Sequence, residues 1–343
     1  METAQRRMEP LVDRFNRPVT YLRLSVTDRC NFRCVYCMPA EGLDFGPNST
    51  LLTFEEIERL VRLMAAGGVR RVRLTGGEPL VRRDLPALVA RLSAIEGVDQ
   101  VVMTTNGHQL GRCAEALREA GLTGLTVSLD SLDEARFAQI TRGGELSAVL
   151  AGIEAASRAG FEGIKINAVI IRGFNDDELD DMVAWAVERG HILRMIEFMP
   201  IGADTIWGQG GCVPVAEMEA SLGLRWSLEP LGEVASAGPA RYFRVAGRGG
   251  QLRRGEGKVG FISAVTRCFC DGCNRVRVTA QGGLRACLAD DREVDLRALM
   301  RGGEGDEALE EAIRGSLWGK LASHSFNIDG GAVTRKQMVS IGG

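Results

Sequence analysis

The chain has 343 residues, of which 45% are hydrophobic and 25% charged, with 42 Lys and Arg against 45 Asp and Glu for a formal net charge of −3. That length exceeds one small core and suits a large domain with a smaller one beside it. The near-neutral balance offers no basic surface for a nucleic-acid backbone, and no apolar run approaches the ~20 residues that span a bilayer.

The opening stretch mixes Glu2, Glu9 and Asp13 with arginines, unlike a secretory or mitochondrial targeting segment. A cytoplasmic protein is therefore expected, in which nine clustered cysteines serve as metal ligands or reactive thiols rather than disulfides. TYLRLSVT (20–27) reads as a strand, and Thr53-Phe-Glu-Glu56 as a capping box ahead of a helix carrying Ile57, Leu60, Val61 and Met64 at helical spacing. Strands follow at 69–75, 98–105, 122–130, 163–171 and 192–199. Helices are expected between them, over 84–95, 109–120, 147–159 and 176–188. Strict alternation implies a parallel sheet with right-handed crossovers. A closed barrel needs eight such units, so about six predict an α/β fold built as an incomplete, TIM-like (β/α)6 barrel. Thr27, Thr75, Thr104, Ser128, Lys165 and Met199 are expected along its C-terminal rim.

The rhythm breaks near residue 205. GQGGCVP (208–214) reads as a linker, RYFRVAG (241–247) and KVGFIS (258–263) as short strands, and 306–321 as a helix. The expected division is a barrel over 1–205 and a smaller α+β domain over 206–343.

Two cysteine groups carry the chemistry. Cys30, Cys34 and Cys37 have spacing C-x3-C-x2-C on the loop after the first strand. A cubane of four irons takes one thiolate per iron, so three cysteines leave one iron open to a ligand. The alternative is a zinc ion completed by a distant histidine, although His108, His191 and His324 all lie far from ligand spacing. Cys270, Cys273 and Cys287 form the second group, at C-x2-C-x13-C. It reads either as another open cluster or as a zinc knuckle with Cys268 as fourth ligand. If Arg275-Val276-Arg277 is a strand, its two guanidinium groups share a face beside that metal and suit a polyphosphate or a carboxylate. A solvated strand face is the competing reading. No Walker loop is present, so phosphates must be held by side chains.

The first cysteine group, with Tyr36 before its last member, resembles the radical S-adenosylmethionine superfamily, as does Thr75-Gly-Gly-Glu-Pro79 after the second strand. RLTGGEPLVRRD, TTNG, VSLDSLD, IKINAV, IEFMP and FCDGCNRVRVTAQGGLRACL, together with a Gly-Gly end, are similar in order to the blocks of the GTP 3′,8-cyclase family of molybdenum-cofactor (molybdopterin) biosynthesis. The resemblance implies a radical lyase that joins C3′ of GTP to C8 of its guanine, yielding (8S)-3′,8-cyclo-7,8-dihydroguanosine 5′-triphosphate.

It further implies two [4Fe-4S] clusters, one on Cys30, Cys34 and Cys37 and an auxiliary one on Cys270, Cys273 and Cys287. Tyr36, Gly77, Ser128 and Met199 would surround S-adenosylmethionine. Arg23, Arg73, Thr104, Lys165, Arg275, Val276 and Arg277 would contact GTP, and Gly342 and Gly343 would enter the active site. Implied partners are an external electron donor and the cyclic pyranopterin monophosphate synthase that takes the product, with no nucleic acid or membrane, and a monomeric or homodimeric state. Cys268 departs from the family pattern. The rival functions are a radical peptide maturase with an auxiliary cluster and a metal-binding protein without turnover.

Overall fold

The computed structural model describes residues 8–202, 210–232, 238–247, 256–326, 334 and 336–342. Six strands run parallel in chain order: β1 (Tyr21–Ser25), β2 (Arg71–Thr75), β3 (Gln100–Thr105), β4 (Gly124–Ser128), β5 (Lys165–Ile170) and β6 (Ile192–Glu197). The main helices between them are α1 (Phe54–Ala66), α2 (Leu85–Ser93), α3 (Ala114–Glu119), α4 (Glu134–Thr141), α5 (Leu146–Arg158) and α6 (Leu179–Glu188). The expected capping box opens α1: Glu56 N donates to Thr53 Oγ1 at 3.2 Å, and Thr53 N donates to Glu56 Oε2 at 2.8 Å.

The strands alternate with period two, but in a barrel's sense. Leu22, Leu24, Val72, Leu74, Val101, Met103, Ile166, Ala168, Leu193 and Met195 are buried in the main core. Each of these Leu, Val, Ile or Met side chains contributes about 1.5–3 kcal/mol when fully buried. The intervening Tyr21, Arg23, Arg71, Arg73, Lys165, Asn167 and Arg194 line a central cavity. One alternation thus builds both the core and the site.

After β6 come α7 (Val215–Leu222), β7 (Trp226–Pro230), β8 (Arg241–Gly247), β9 (Gly257–Ile262), β10 (Arg275–Val278), β11 (Gly283–Arg285), β12 (Val294–Asp295), α8 (Leu296–Arg301) and α9 (Asp306–Trp318). Among the described residues, all twelve strands form one open sheet in the order β12-β11-β10-β1-β2-β3-β4-β5-β6-β9-β8-β7. The later strands therefore extend both edges of the six-stranded barrel, since β10 pairs parallel with β1 and β9 parallel with β6. This is the incomplete (β/α)6 barrel expected, lengthened by short antiparallel ladders on either side.

Three expectations need correction. The segment 109–120 is a 3-10 turn (Leu110–Arg112) followed by the six-residue α3, because Leu110-Gly-Arg-Cys113 breaks the helical run. The last helix stops at Trp318, where Gly319 caps it. Lys165 begins β5 instead of ending it; barrel stagger nevertheless sets it in register with Thr126, which pairs with Thr104.

Candidate functional site

The first cysteine group sits on the loop leaving β1, pinned to the loop leaving β2. Gly77 N donates to Thr27 O and Glu78 N to Arg29 O, each at 2.8 Å. A Cβ on Gly77 would stand 2.3 Å from the Arg29 carbonyl oxygen, so only glycine allows this approach. Glu78 is buried and accepts from Thr105 Oγ1 and Asn106 N, each at 2.6 Å. The paired glycines thus dock the cysteine loop against the sheet.

Cys30, Cys34 and Cys37 all line the central cavity, with Tyr36, Gly77, Ser128 and Met199. Burial pushes Cys30 up to about 11 and Cys37 up to about 12, and it raises Cys34 as well, with the neighbouring Cys37 thiol adding to the effect. Three partly buried thiols that resist ionisation alone fit a cationic metal centre, which would supply the missing positive charge. Tyr36 donates from its hydroxyl to Asp130 Oδ2 at 2.7 Å, while Val169 N donates to Asp130 Oδ1 at 2.8 Å. Burial lifts Asp130 to about 6, against those two hydrogen bonds.

The opposite wall is cationic. Arg23 stands in register with Arg73 on one side and Arg277 on the other, and Tyr21 stands between Arg71 and Arg275. Lys165 and Arg194 complete the lining of a cavity of about 260 Å³. Arg73 donates to Thr104 Oγ1 at 2.9 Å, to Thr126 Oγ1 at 3.0 Å and to the Tyr21 hydroxyl. Burial and then Arg275 bring Arg277 down to about 10; burial and then Arg194 bring Lys165 down to about 8. These cations repel one another in a low-dielectric space, which a polyanion would relieve.

The segment 338–342 reaches the same wall. A 3-10 turn (Met338–Ile341) delivers Gly342, whose carbonyl accepts from Arg23 Nη2 and Arg277 Nη1, each at 3.1 Å. Gly343 lies outside the described residues. Val276 turns away from the cavity: it pairs with Leu22 and is buried in the core, so only its backbone is left to meet a ligand there. Arg71 and Arg194, which the sequence reading missed, carried a signal, each being a cation at an inward position of an otherwise apolar strand.

The second cysteine group lies beyond the end of the cationic wall. Phe269, Arg275, Arg277 and Leu288 from its surroundings line the cavity. Burial opposes ionisation of Cys273, but Arg275 and Lys320 outweigh it and bring the thiol down to about 7. Buried Lys320 donates to Arg275 O at 2.9 Å. Arg17 donates to Cys270 O at 2.7 Å, to Ala322 O and Leu321 O at 2.8 Å, and pairs with buried Asp13 at 2.6 Å.

An open parallel barrel with a three-cysteine loop at its rim and a docked Gly-Gly-Glu-Pro turn defines a radical S-adenosylmethionine protein, a class that uses S-adenosylmethionine and an iron–sulfur cluster. Residues 24–186 match the Radical SAM superfamily, and residues 191–326 match Molybdenum Cofactor Synthesis C. The chain belongs to the GTP 3′,8-cyclase family. It is 46% identical to the GTP 3′,8-cyclase of Pelotomaculum thermopropionicum, over 96% of this chain and 99% of that one. With the enzyme of Pseudomonas putida strain W619 it shares 45% identity over 97% and 98%. Among solved structures, Streptococcus suis SuiB bound to S-adenosylmethionine shares the fold, with a TM-score of 0.56 over 82% of this chain and 64% of that one at 13% identity. No helix among the described residues is long and apolar enough to cross a membrane.

Proposed function

We propose that this chain is a GTP 3′,8-cyclase that binds S-adenosylmethionine at the cysteine rim and GTP along the arginine wall of the same cavity. When bound, the iron–sulfur cluster supplies the electron that lets S-adenosylmethionine generate an adenosyl radical. Cys30, Cys34 and Cys37 hold that cluster; Tyr36, Gly77, Ser128 and Met199 surround the cofactor. GTP carries about four negative charges near neutral pH. Arg23, Arg71, Arg73, Lys165, Arg194, Arg275 and Arg277 offset them, with Thr104 adding a hydroxyl and Val276 only its backbone.

The observation that carries this reading is the single cavity with thiols at one end and stacked cations along the other. Such an arrangement supports a nucleotide held with its phosphates toward the arginines and its ribose toward the rim. Gly342 acts where its carbonyl meets Arg23 and Arg277, shaping the pocket and excluding water. Cys270, Cys273 and Cys287 hold a second [4Fe-4S] cluster beside the arginines, so residues 206–343 complete the nucleotide site of the 1–205 barrel. An external donor provides electrons, and the product passes to cyclic pyranopterin monophosphate synthase. The enzyme works in the cytoplasm as a monomer or homodimer.

Anaerobic incubation with GTP, S-adenosylmethionine and a reductant, followed by mass spectrometry, tests the reading. Formation of a nucleotide isomeric with GTP, alongside 5′-deoxyadenosine, is expected. Formation of 5′-deoxyadenosine unaffected by GTP would instead favour a peptide maturase.

A further inference from the structure

Cys268, Cys270 and His324 come together although His324 follows by more than fifty residues. One ligand atom from each lies within 4.8 Å of the others. Two donors bound to one zinc ion, each at about 2.3 Å, stand at most about 4.6 Å apart. This trio therefore needs only small side-chain rotations to share one ion. Cys273 and Cys287 do not belong to it, and the cysteines of a cubane bind separate irons.

The trio is built rather than accidental. Cys270 N donates to Cys268 Sγ at 3.3 Å, fixing the two sulfurs on one turn. Arg17 ties Cys270 O to Ala322 O, two residues before His324, and is itself anchored by Asp13. Phe269 and Phe326 flank the imidazole, whose Nδ1 accepts from Phe326 N at 3.2 Å and whose Nε2 is buried with no hydrogen-bond partner among the described residues. A buried nitrogen left in that state is costly unless a ligand meets it.

We propose that Cys268, Cys270 and His324 form a site for a single soft divalent cation, zinc by donor type, which shares Cys270 with the second cysteine triad. Binding releases two thiol protons to solvent, and the neutral imidazole binds through Nε2 by moving its one proton to Nδ1, which gives up the hydrogen bond from Phe326 N. The ion site stands independently of what the triad holds. Its consequence rests on the reading of that triad as a cluster site: because one thiolate cannot serve both, a zinc-loaded chain lacks the second cluster.

The test uses the full chain, produced anaerobically in iron-poor, zinc-supplemented medium, with metal content measured per chain. Cys268→Ser and His324→Ala each lower zinc by about one ion per chain relative to the unmodified protein, while Cys287→Ser leaves it unchanged. Cys268 is exposed, so its serine variant folds whatever the outcome at His324. Cobalt substitution shows a thiolate charge-transfer band that the same two variants lose. Zinc retained in Cys268→Ser, or lost in Cys287→Ser, overturns the site. After reconstitution with iron and sulfide, the zinc-loaded chain takes up about half the iron of the zinc-free chain. Equal uptake with zinc retained overturns the exclusion. If the zinc-free chain itself holds only about four irons, the two-cluster reading fails while the zinc counts still decide the ion site.

Discussion

The two cysteine groups use the same side chain in opposite electrostatic settings. Around Cys30, Cys34 and Cys37 burial, with Glu78 and Asp130 beside it, outweighs the one cation Arg33, and every thiol is raised. Around Cys273 the neighbours are Arg275 and Lys320, and the thiol falls to about 7, while Cys270 rises to about 12 through burial and Cys268. The first loop is held by backbone contacts to a glycine turn together with Arg33 and Arg142 side chains, the second by the side chains of Arg17 and Lys320. Spacing alone reveals a ligand set; the surroundings decide how it is held and what can displace its metal.

If the second group depends on side-chain clamps, Arg17→Met should have the largest effect. It strands buried Asp13 and three carbonyl oxygens, lowering stability by about 3–5 kcal/mol in chemical denaturation. Iron should be lost from the second group before the first. The reciprocal change, Gly77→Ala, forces a Cβ against Arg29 O and displaces the first loop. A roughly 100-fold loss in turnover is expected, with the second group's metal retained, measured by product formation and iron content.

Between the groups, Arg277→Ala removes one charge-assisted contact of about 1.5–3 kcal/mol. The KM for GTP should rise roughly tenfold to a hundredfold while the spectrum of the first cluster stays unchanged. Unaltered kinetics would remove the arginine wall from the nucleotide site.

The smallest effect is expected from Tyr36→Phe, which deletes the hydrogen bond to Asp130 at a cost of about 1 kcal/mol. Asp130 already titrates near 6 in the folded chain, above its ordinary value, so folding loses stability as pH rises toward that point. Without the tyrosine hydroxyl the loss extends to higher pH. The variant's deficit in denaturation should therefore grow above about pH 6 and vanish in acid. A deficit independent of pH would contradict this role.

Much of the barrel was legible because its strands are apolar runs bounded by Gly, Asn and Asp, and because outward Leu and Val alternate with inward cations. The short α4, α7 and α8, at six to eight residues each, were not, since one or two turns leave too little periodicity. Nor could sequence show that β9 and β10 join the barrel's two edges, because pairing across more than fifty residues leaves no local trace. The cluster cysteines were legible by spacing. His324 was not, because only the fold carries it to Cys268 and Cys270. Arg275 and Arg277 were found by their motif, whereas Arg71 and Arg194 were overlooked although their inward strand positions marked them, and the cavity brings them in.

Shared occupancy of one cavity is what unites rim and wall, and isotope transfer tests it most directly. With GTP carrying deuterium at C3′, the 5′-deoxyadenosine formed anaerobically should gain one deuterium, because the two ligands meet inside the barrel. Unlabelled 5′-deoxyadenosine from turnover that consumes the GTP would show that they never do.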